Sequence, residues 1–165
     1  MQKLSMSPTA RNAEHCAILG QAVSVLLRTD RASFRISALK YWLQPAVLLG
    51  QIKVLSDEFG VPIAVLTWAY LSDEVAQRMA RDEVVALHFS EWNEGLNLWI
   101  VDFAVVAGYG FSAARWMAKH MFREFSLARG YRPETSSRSG RVVSFRRCEP
   151  TPFPLASPVG AAQHA

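Results

Sequence analysis

LNLWIVDFAVVAGYGFSAARWMAKHMFREF, residues 96–125, contains the strongest strand and helix signals of the chain. Its first part, residues 96–106, is an apolar run rich in β-branched and aromatic residues, with Gly95 before it and Gly108 after it. Such a run predicts a strand that is buried on both faces of a sheet. Apolar residues at spacings of three and four then predict a helix. They are Phe111, Ala114, Met117, Ala118, Met121, Phe122 and Phe125.

One carboxylate, Asp102, lies in the middle of this apolar strand. An unpaired buried carboxylate costs several kcal/mol, so the group must be hydrogen-bonded, paired with a cation, protonated, or placed at a wet end of the strand. Two interpretations stay open. Asp102 is either a structural residue paired with one of the 14 arginines, or a catalytic or substrate-orienting residue.

The turn between the strand and the helix contains Gly108 and Gly110. A buried strand, a glycine turn and a helix start together create a place where backbone N–H groups can face a ligand. The alternative is a tight strand-to-helix turn with no binding role.

Composition restricts the class of protein. At 165 residues, half of them hydrophobic, the chain is expected to form one domain with a real core. No apolar run approaches the roughly 18 residues of a spanning helix, and residues 1–14 lack the apolar stretch of a signal peptide, so a cytoplasmic location is expected. Cys16 and Cys148 lack metal-ligand spacing, and no metal site is predicted.

The net charge of +4 is concentrated near the C-terminus, because residues 101–165 carry nine basic and only four acidic side chains. Such a region either attracts acidic partners or is an ordinary solvated surface. No nucleic-acid-binding motif accompanies the charge, so DNA binding is not expected.

The N-terminal half predicts two helices and a hairpin. Residues 14–27 and part of residues 34–50 have helical apolar spacing, the second helix being interrupted or ended near Pro45. Residues 51–56 and 61–70 form the two hairpin strands. Ser72 is predicted to cap a further helix.

After the central strand and helix, residues 130–133 are predicted to end regular structure, and residues 141–147 to form a last, edge strand. Residues 1–12 and the Pro- and Ala-rich residues 149–165 are expected to be disordered. Residues 13–148 are then one α/β domain in which helices flank a mixed central sheet.

Several short motifs, in their order and spacing, resemble the RTX toxin-activating lysine acyltransferases typified by the hemolysin activator. The resemblance covers about residues 15–147. Its pieces are ILG at Ile18–Gly20, TWAYLS at Thr67–Ser72, Trp92 with Gly95, WIVDFAVVAG at Trp99–Gly108, Arg115-Trp116-Met117, and GRVVSF at Gly140–Phe145.

The resemblance implies a fold similar to GCN5-type acetyltransferases, and a possible homodimer. It also implies transfer of a fatty acyl group from acyl-acyl carrier protein to internal lysines of an RTX-type protoxin. The donor is a phosphopantetheine thioester, and no permanently bound cofactor is implied.

The family's key polar residues are an aspartate on the central strand, which Asp102 matches, and a histidine near the N-terminus. That histidine would fall at about Arg31, and residues 23–49 contain no histidine. A guanidinium stays charged, so Arg31 is not a general base. It is instead predicted to pair with Asp102, or to bind a phosphate or a developing oxyanion.

Acyl transfer to a lysine requires loss of the ammonium proton, stabilisation of the oxyanion and departure of a thiolate. Asp102 is predicted to take the proton if burial raises its pKa. The backbone N–H groups near Gly108 and Gly110 are predicted to hold the pantetheine. Trp68, Trp99 and Phe103 either line an acyl groove or belong to the core. His88 is an alternative base or an ordinary histidine.

Three functions follow: a lysine fatty acyltransferase acting on an RTX-type protoxin, a related acyltransferase with another acceptor or a short-chain acyl-CoA donor, or a catalytically impaired homologue that only binds. The intact strand around Asp102 favours the first two, and the missing histidine favours the third.

Overall fold

The computed structural model describes residues 10–81, 86–121, 127–132 and 141–146. Two short 3-10 helices, Asp30–Ser33 and Phe89–Trp92, lie between longer elements. The helices are α1 (Ala10–Leu26), α2 (Ile36–Leu49), α3 (Asp73–Ala80) and α4 (Gly110–His120). The strands are β1 (Ile52–Ser56), β2 (Pro62–Leu71), β3 (Asn97–Val105), β4 (Leu127–Arg132) and β5 (Arg141–Arg146).

The five strands form one sheet in the order β1-β2-β3-β4-β5. Neighbouring strands are antiparallel except β3 and β4, which are parallel and joined through α4. A parallel pair needs such a crossover connection. The predicted α/β class with a mixed sheet flanked by helices is confirmed, and β5 lies at an edge as expected.

The two faces of the sheet carry different cores. On the α1 face, Val65, Ala69 and Trp99 pack with buried residues of α1, α2 and α3. On the α4 face, Leu66 and Ile100 pack with Met117 of α4. The larger core therefore lies on the α1 face.

Two helix predictions need correction. α1 begins at Ala10, inside the segment expected to be disordered; residues 1–9 lie outside the described residues. α2 continues through Pro45 to Leu49, because Pro45 and its neighbours Ala46 and Val47 are buried in the core, and this packing outweighs the loss of one helical hydrogen bond.

The buried side of α4 also differs from the prediction. Phe111 is 78% exposed, and α4 buries Ala113 and Met117. At 3.6 residues per turn, Phe111 lies about 120° around the helix from Met117, so it does not share the side that Ala113 and Met117 bury. Phe122 and Phe125 lie outside the described residues.

The predicted end of regular structure at residues 130–133 is wrong, because β4 extends to Arg132. Gly130 lets β4 approach β3 closely: a Cβ built there would lie 3.1 Å from Cβ of Ile100. The segments 134–139 and 149–165, predicted as loop and tail, lie outside the described residues.

The predicted hairpin and cap are confirmed. The Asp57 carboxylate accepts hydrogen bonds from the backbone N–H groups of Phe59 and Val61, and Gly60 takes a positive φ of 79°, which favours glycine. The Ser72 hydroxyl accepts from the N–H of Val75. Among the described residues, no helix is both long and apolar enough to cross a membrane.

Glu91 connects α3 to the second 3-10 helix. Its carboxylate pairs with Arg78 and accepts a 2.7 Å hydrogen bond from the N–H of His88. Burial acts to raise the pKa of Glu91, but these bonds from His88 and Arg78 outweigh it and lower that pKa below its ordinary value.

We expect Glu91→Gln to lower the free energy of unfolding near neutral pH. The pKa of Glu91 is lower in the folded chain than in the unfolded chain. The stabilisation by ionised Glu91 is therefore complete above the pKa of the unfolded chain, and it disappears as the pH falls through the pKa of the folded chain. Chemical denaturation from about pH 7 to about pH 3 measures this. The difference in the free energy of unfolding between wild type and Glu91→Gln should disappear at low pH. The exposed control Glu94→Gln should show no comparable difference from wild type. A difference that stays constant with pH would contradict the assignment.

Candidate active site

Arg31 and Asp102, 71 residues apart in sequence, are brought together at the first 3-10 helix. Nη2 of Arg31 donates to Oδ1 of Asp102 at 2.7 Å, and Nε lies 3.1 Å from Oδ2 and 3.2 Å from Oδ1. Nη1 donates to the carboxylate of Asp30. The predicted pairing of Arg31 with Asp102 is confirmed.

The short helix itself fixes the direction of Arg31. Thr29 caps it, its hydroxyl accepting from the N–H of Arg31 and donating to the carbonyl of Leu26 at the end of α1. The backbone of Arg31 is therefore tied to α1, and α1 is packed on the sheet. Asp30 is the second partner of Arg31 and was not singled out in the sequence.

The ion pair is half-buried: the side chain of Arg31 is 16% exposed and that of Asp102 is 18% exposed. Burial acts to lower the pKa of Arg31, but hydrogen bonds and charge attraction from Asp102, and then from Asp30, raise it above its ordinary value. Arg31 is therefore a permanent cation, and the pair retains contact with solvent.

A β-bulge turns Asp102 toward Arg31. Thr67 of β2 pairs with Asp102, but the next residue, Trp68, pairs with Ile100, so Val101 is an extra residue on β3. Val101 packs against the core on the α1 face, as Trp99 does, and the Asp102 carboxylate meets Arg31 beside α1. A bulge re-aims side chains in this way, and sequence alternation does not reveal it.

The strand around Asp102 is less buried than predicted. Trp99 and Ile100 are buried, whereas Val101, Asp102 and Phe103 are half-buried. The higher exposure of these three residues follows from the short pairing of β3 with β4. Within the described residues the pairing ends at Ile100 and Gly130, although both strands continue. Beyond that point no described strand pairs with the β4 side of β3, and this unpaired side is called the opening beside β3.

Gly108 and Gly110 lie just past the end of β3. Gly108 has φ of 92°, which explains the need for glycine there, and Gly110 is the first residue of α4. A Cβ at either position would meet nothing within 4 Å, and Tyr109 gives α4 no side-chain cap. The turn is at the same end of the sheet as Asp102, but α4 packs on the face opposite the carboxylate.

The structure separates two predicted groove residues. Trp99 is fully buried in the core on the α1 face, while Trp68 is half-buried and packs with Phe103 on the α4 face. A groove lined jointly by Trp68 and Trp99 is therefore excluded by the alternation of side chains across the sheet. Trp68 and Phe103 still share a face.

His88 and His120 both lie at the surface. His88 caps the second 3-10 helix, its ring nitrogen accepting from the N–H of Ser90, and it is exposed. His120 is exposed at the end of α4, with its ring centroid 4.8 Å from that of Trp116. In the described ranges, no group of three or more His, Cys, Asp or Glu side chains could hold a metal ion.

The sheet with its β3-α4-β4 crossover and the opening beside β3 define a class of fold. A solved structure of GphF, a GNAT-like decarboxylase in complex with isobutyryl-CoA, matches with a TM-score of 0.51 and 15% identity, over 70% of this chain and 61% of that chain. The chain therefore has a GNAT-like fold, as expected from the family resemblance.

Sequence comparison identifies the family. The HlyC sequence family, described as the RTX toxin acyltransferase family, matches residues 11–146, so the chain belongs to the RTX toxin acyltransferase family. The leukotoxin-activating lysine-acyltransferase LtxC of Aggregatibacter actinomycetemcomitans is 31% identical over 68% of this chain. The RTX-II toxin-activating lysine-acyltransferase ApxIIC of Actinobacillus pleuropneumoniae is 31% identical over 67% of this chain. The matches span 65% of the length of LtxC and 68% of that of ApxIIC.

Proposed function

We propose that this protein transfers a fatty acyl group from acyl-acyl carrier protein to internal lysines of an RTX-type protoxin, and so activates it, in the cytoplasm. The observation that carries the proposal is the half-buried Arg31–Asp102 pair beside the open side of β3. It occurs in a chain of the RTX toxin acyltransferase family.

The reaction converts a thioester and an amine into an amide and a thiol. The lysine ammonium first loses a proton, its nitrogen then attacks the thioester carbonyl, the C–S bond breaks, and the leaving thiolate takes up a proton. Asp102 is the proposed proton acceptor, directly or through water. Among the described residues, its Oδ1 receives two contacts from Arg31 and Oδ2 only the Nε contact at 3.1 Å, which leaves Oδ2 an acceptor position for a further donor.

Arg31 has a different role, because it is a permanent cation. Three of its five N–H donors face Asp102 and Asp30. The remaining two are proposed to stabilise the oxyanion of the tetrahedral intermediate or the phosphate of the donor. Arg31 thus orients the carboxylate and supplies positive charge, and it does not take the proton.

The opening beside β3 supports a binding place for the donor arm. Backbone groups on the edge of β3 that no described strand pairs can bond an extended chain such as pantetheine. The turn with Gly108 and Gly110 follows β3 directly, although the N–H of Tyr109 within it is already bonded to the carbonyl of Val106. Trp68 and Phe103 are proposed to contact the acyl chain on the α4 face. No permanently bound cofactor is proposed, and a homodimer stays a prediction.

The function is tested by co-expressing an RTX-type protoxin with and without this protein and measuring the intact mass of the protoxin. We expect a mass increase equal to one or more fatty acyl groups only in the presence of this chain. Peptide mapping should locate the added groups on lysines. An unchanged mass after long incubation with acyl-acyl carrier protein would reject the acyltransferase proposal.

Arg31→Lys tests the role of the guanidinium. Lysine keeps the charge but does not reproduce the forked contact with both carboxylate oxygens, so we expect acylation to slow about 10-fold or more. The control is Arg35→Lys, because Arg35 is exposed and precedes α2. Equal rates for wild type and Arg31→Lys would show that charge alone suffices.

A second candidate function is a homologue that binds carrier protein or protoxin without turnover. The specific observation in its favour is that an arginine occupies the Asp102 carboxylate where the family resemblance leads one to expect a histidine. Arg31→His separates the two. A large gain in acylation would identify a degraded enzyme, whereas a loss supports catalysis by the pair as it stands.

A further inference from the structure

The hydroxyl of Thr67 is an unexplained polar group next to the candidate site. Thr67 is 1% exposed, and its Oγ1 has no hydrogen-bond partner in the described part of the chain. Leaving a buried hydroxyl unsatisfied costs about 1–3 kcal/mol. Valine has nearly the same shape and avoids that cost, so a threonine at this position needs a reason.

The position of Thr67 in the sheet gives a reason for a threonine there. Thr67 is the direct cross-strand partner of Asp102, and directly paired residues have Cβ atoms about 4.5–5.5 Å apart. Val65 and Ala69, the residues two before and two after, belong to the core on the α1 face. Strand alternation therefore places the Thr67 side chain on the same face as the Asp102 carboxylate.

Asp102 can accept a further hydrogen bond on the face that it shares with Thr67. Arg31 approaches mainly Oδ1, at 2.7 Å, and leaves Oδ2 with a single contact at 3.1 Å. A hydroxyl and a carboxylate oxygen on one face of directly paired residues supply two of the two to four polar partners that a buried water needs. Trp99, diagonal to Thr67, carries another buried polar group, its indole N–H, without a partner within the described residues.

We propose that Thr67 is a positioning residue of the Asp102 site: its hydroxyl holds a water molecule against Oδ2, and the lysine ammonium transfers its proton through this water to Asp102. The proton leaves the amine nitrogen, passes to the water and from the water to Oδ2, so no other reactant is needed. The proposal rests on the proposed acyltransferase function and adds a residue to its proton path.

Two substitutions at Thr67 separate a functional from a structural role. Thr67→Val replaces the hydroxyl with a methyl group of similar size, so the free energy of unfolding should change little, while acylation should slow about 10-fold or more. Thr67→Ser keeps the hydroxyl and removes a buried methyl, so stability should fall while most of the rate remains. We therefore expect Thr67→Val to be the more stable but slower enzyme, and Thr67→Ser to be the less stable but faster one.

The measurements are thermal unfolding, the acylation rate from intact mass of the protoxin, and the pH dependence of kcat/KM. We expect Thr67→Val to lower kcat more than it raises KM for the protoxin and to displace the pH profile, which a change in packing alone would not do. Equal rates and profiles for wild type and Thr67→Val would overturn the inference while leaving the acyltransferase proposal standing. No acylation by the wild type would overturn both.

Discussion

Asp102→Asn is expected to slow lysine acylation by about 100-fold or more, the range lost when a general acid–base group is removed. The asparagine side chain has nearly the same shape, and its oxygen still accepts one bond from Arg31. It provides no negative charge and no basic oxygen for the ammonium proton. The rate is measured from the intact mass of the protoxin over time.

The fold should survive this substitution. Both members of the ion pair retain solvent contact, and Asp30 continues to pair with Arg31, so we expect a loss of about 1–2 kcal/mol in the free energy of unfolding. The control is Glu74→Gln, which removes one negative charge from an exposed position on α3 and should retain the wild-type rate. Full activity in Asp102→Asn would remove Asp102 from the mechanism.

The largest expected effect on stability comes from Gly95→Ala. A Cβ at Gly95 would lie 2.2 Å from the carbonyl oxygen of Leu71, 2.5 Å from its carbonyl carbon and 2.6 Å from the nitrogen of Ser72. All three atoms are backbone, so no side chain can move aside. The N–H of Gly95 also donates to the carbonyl of Tyr70, which holds the turn before β3 against the end of β2.

We expect Gly95→Ala to cost about 3 kcal/mol and to lower Tm by roughly 6–12 °C for a chain of this size, measured by thermal unfolding. The matched control is Gly20→Ala in the middle of α1, where a new Cβ meets nothing within 4 Å. That change should stabilise the protein by about 0.5–1 kcal/mol, because alanine favours a helix interior. A Gly95→Ala variant as stable as the wild type would contradict the close approach of the two backbones.

Several elements could be predicted because their signals are local. The Ser72 cap, the turn around Gly60 and the apolar run of β3 each depend on neighbouring residues alone. β4 was missed because Gly130 weakens its strand pattern, and its stability depends on close packing against Ile100. The buried side of α4 was missed because apolar residues occur on more than one side of this helix, and only packing on the sheet selects the side with Ala113 and Met117.

At the candidate site, too, some features could be predicted from the sequence and others could not. The sequence identified Asp102 as an unusual carboxylate and, through the family resemblance, Arg31 as its counterpart. It did not reveal that the two carboxylate oxygens are unequally occupied, nor that Thr67 lies directly across from Asp102. These features depend on the bulge at Val101 and on strand register, which are set by long-range pairing.

The α/β class, the family and the central carboxylate could all be predicted from residue type and spacing along the chain. Only the tertiary structure decided which groups face that carboxylate and that Trp68 and Trp99 lie on opposite faces of the sheet. The groups facing the carboxylate depend on the one-residue bulge at Val101, and the separation of the two tryptophans depends on the register of β2 and β3, which sets the face on which each side chain lies. Both arise from packing between residues far apart in sequence.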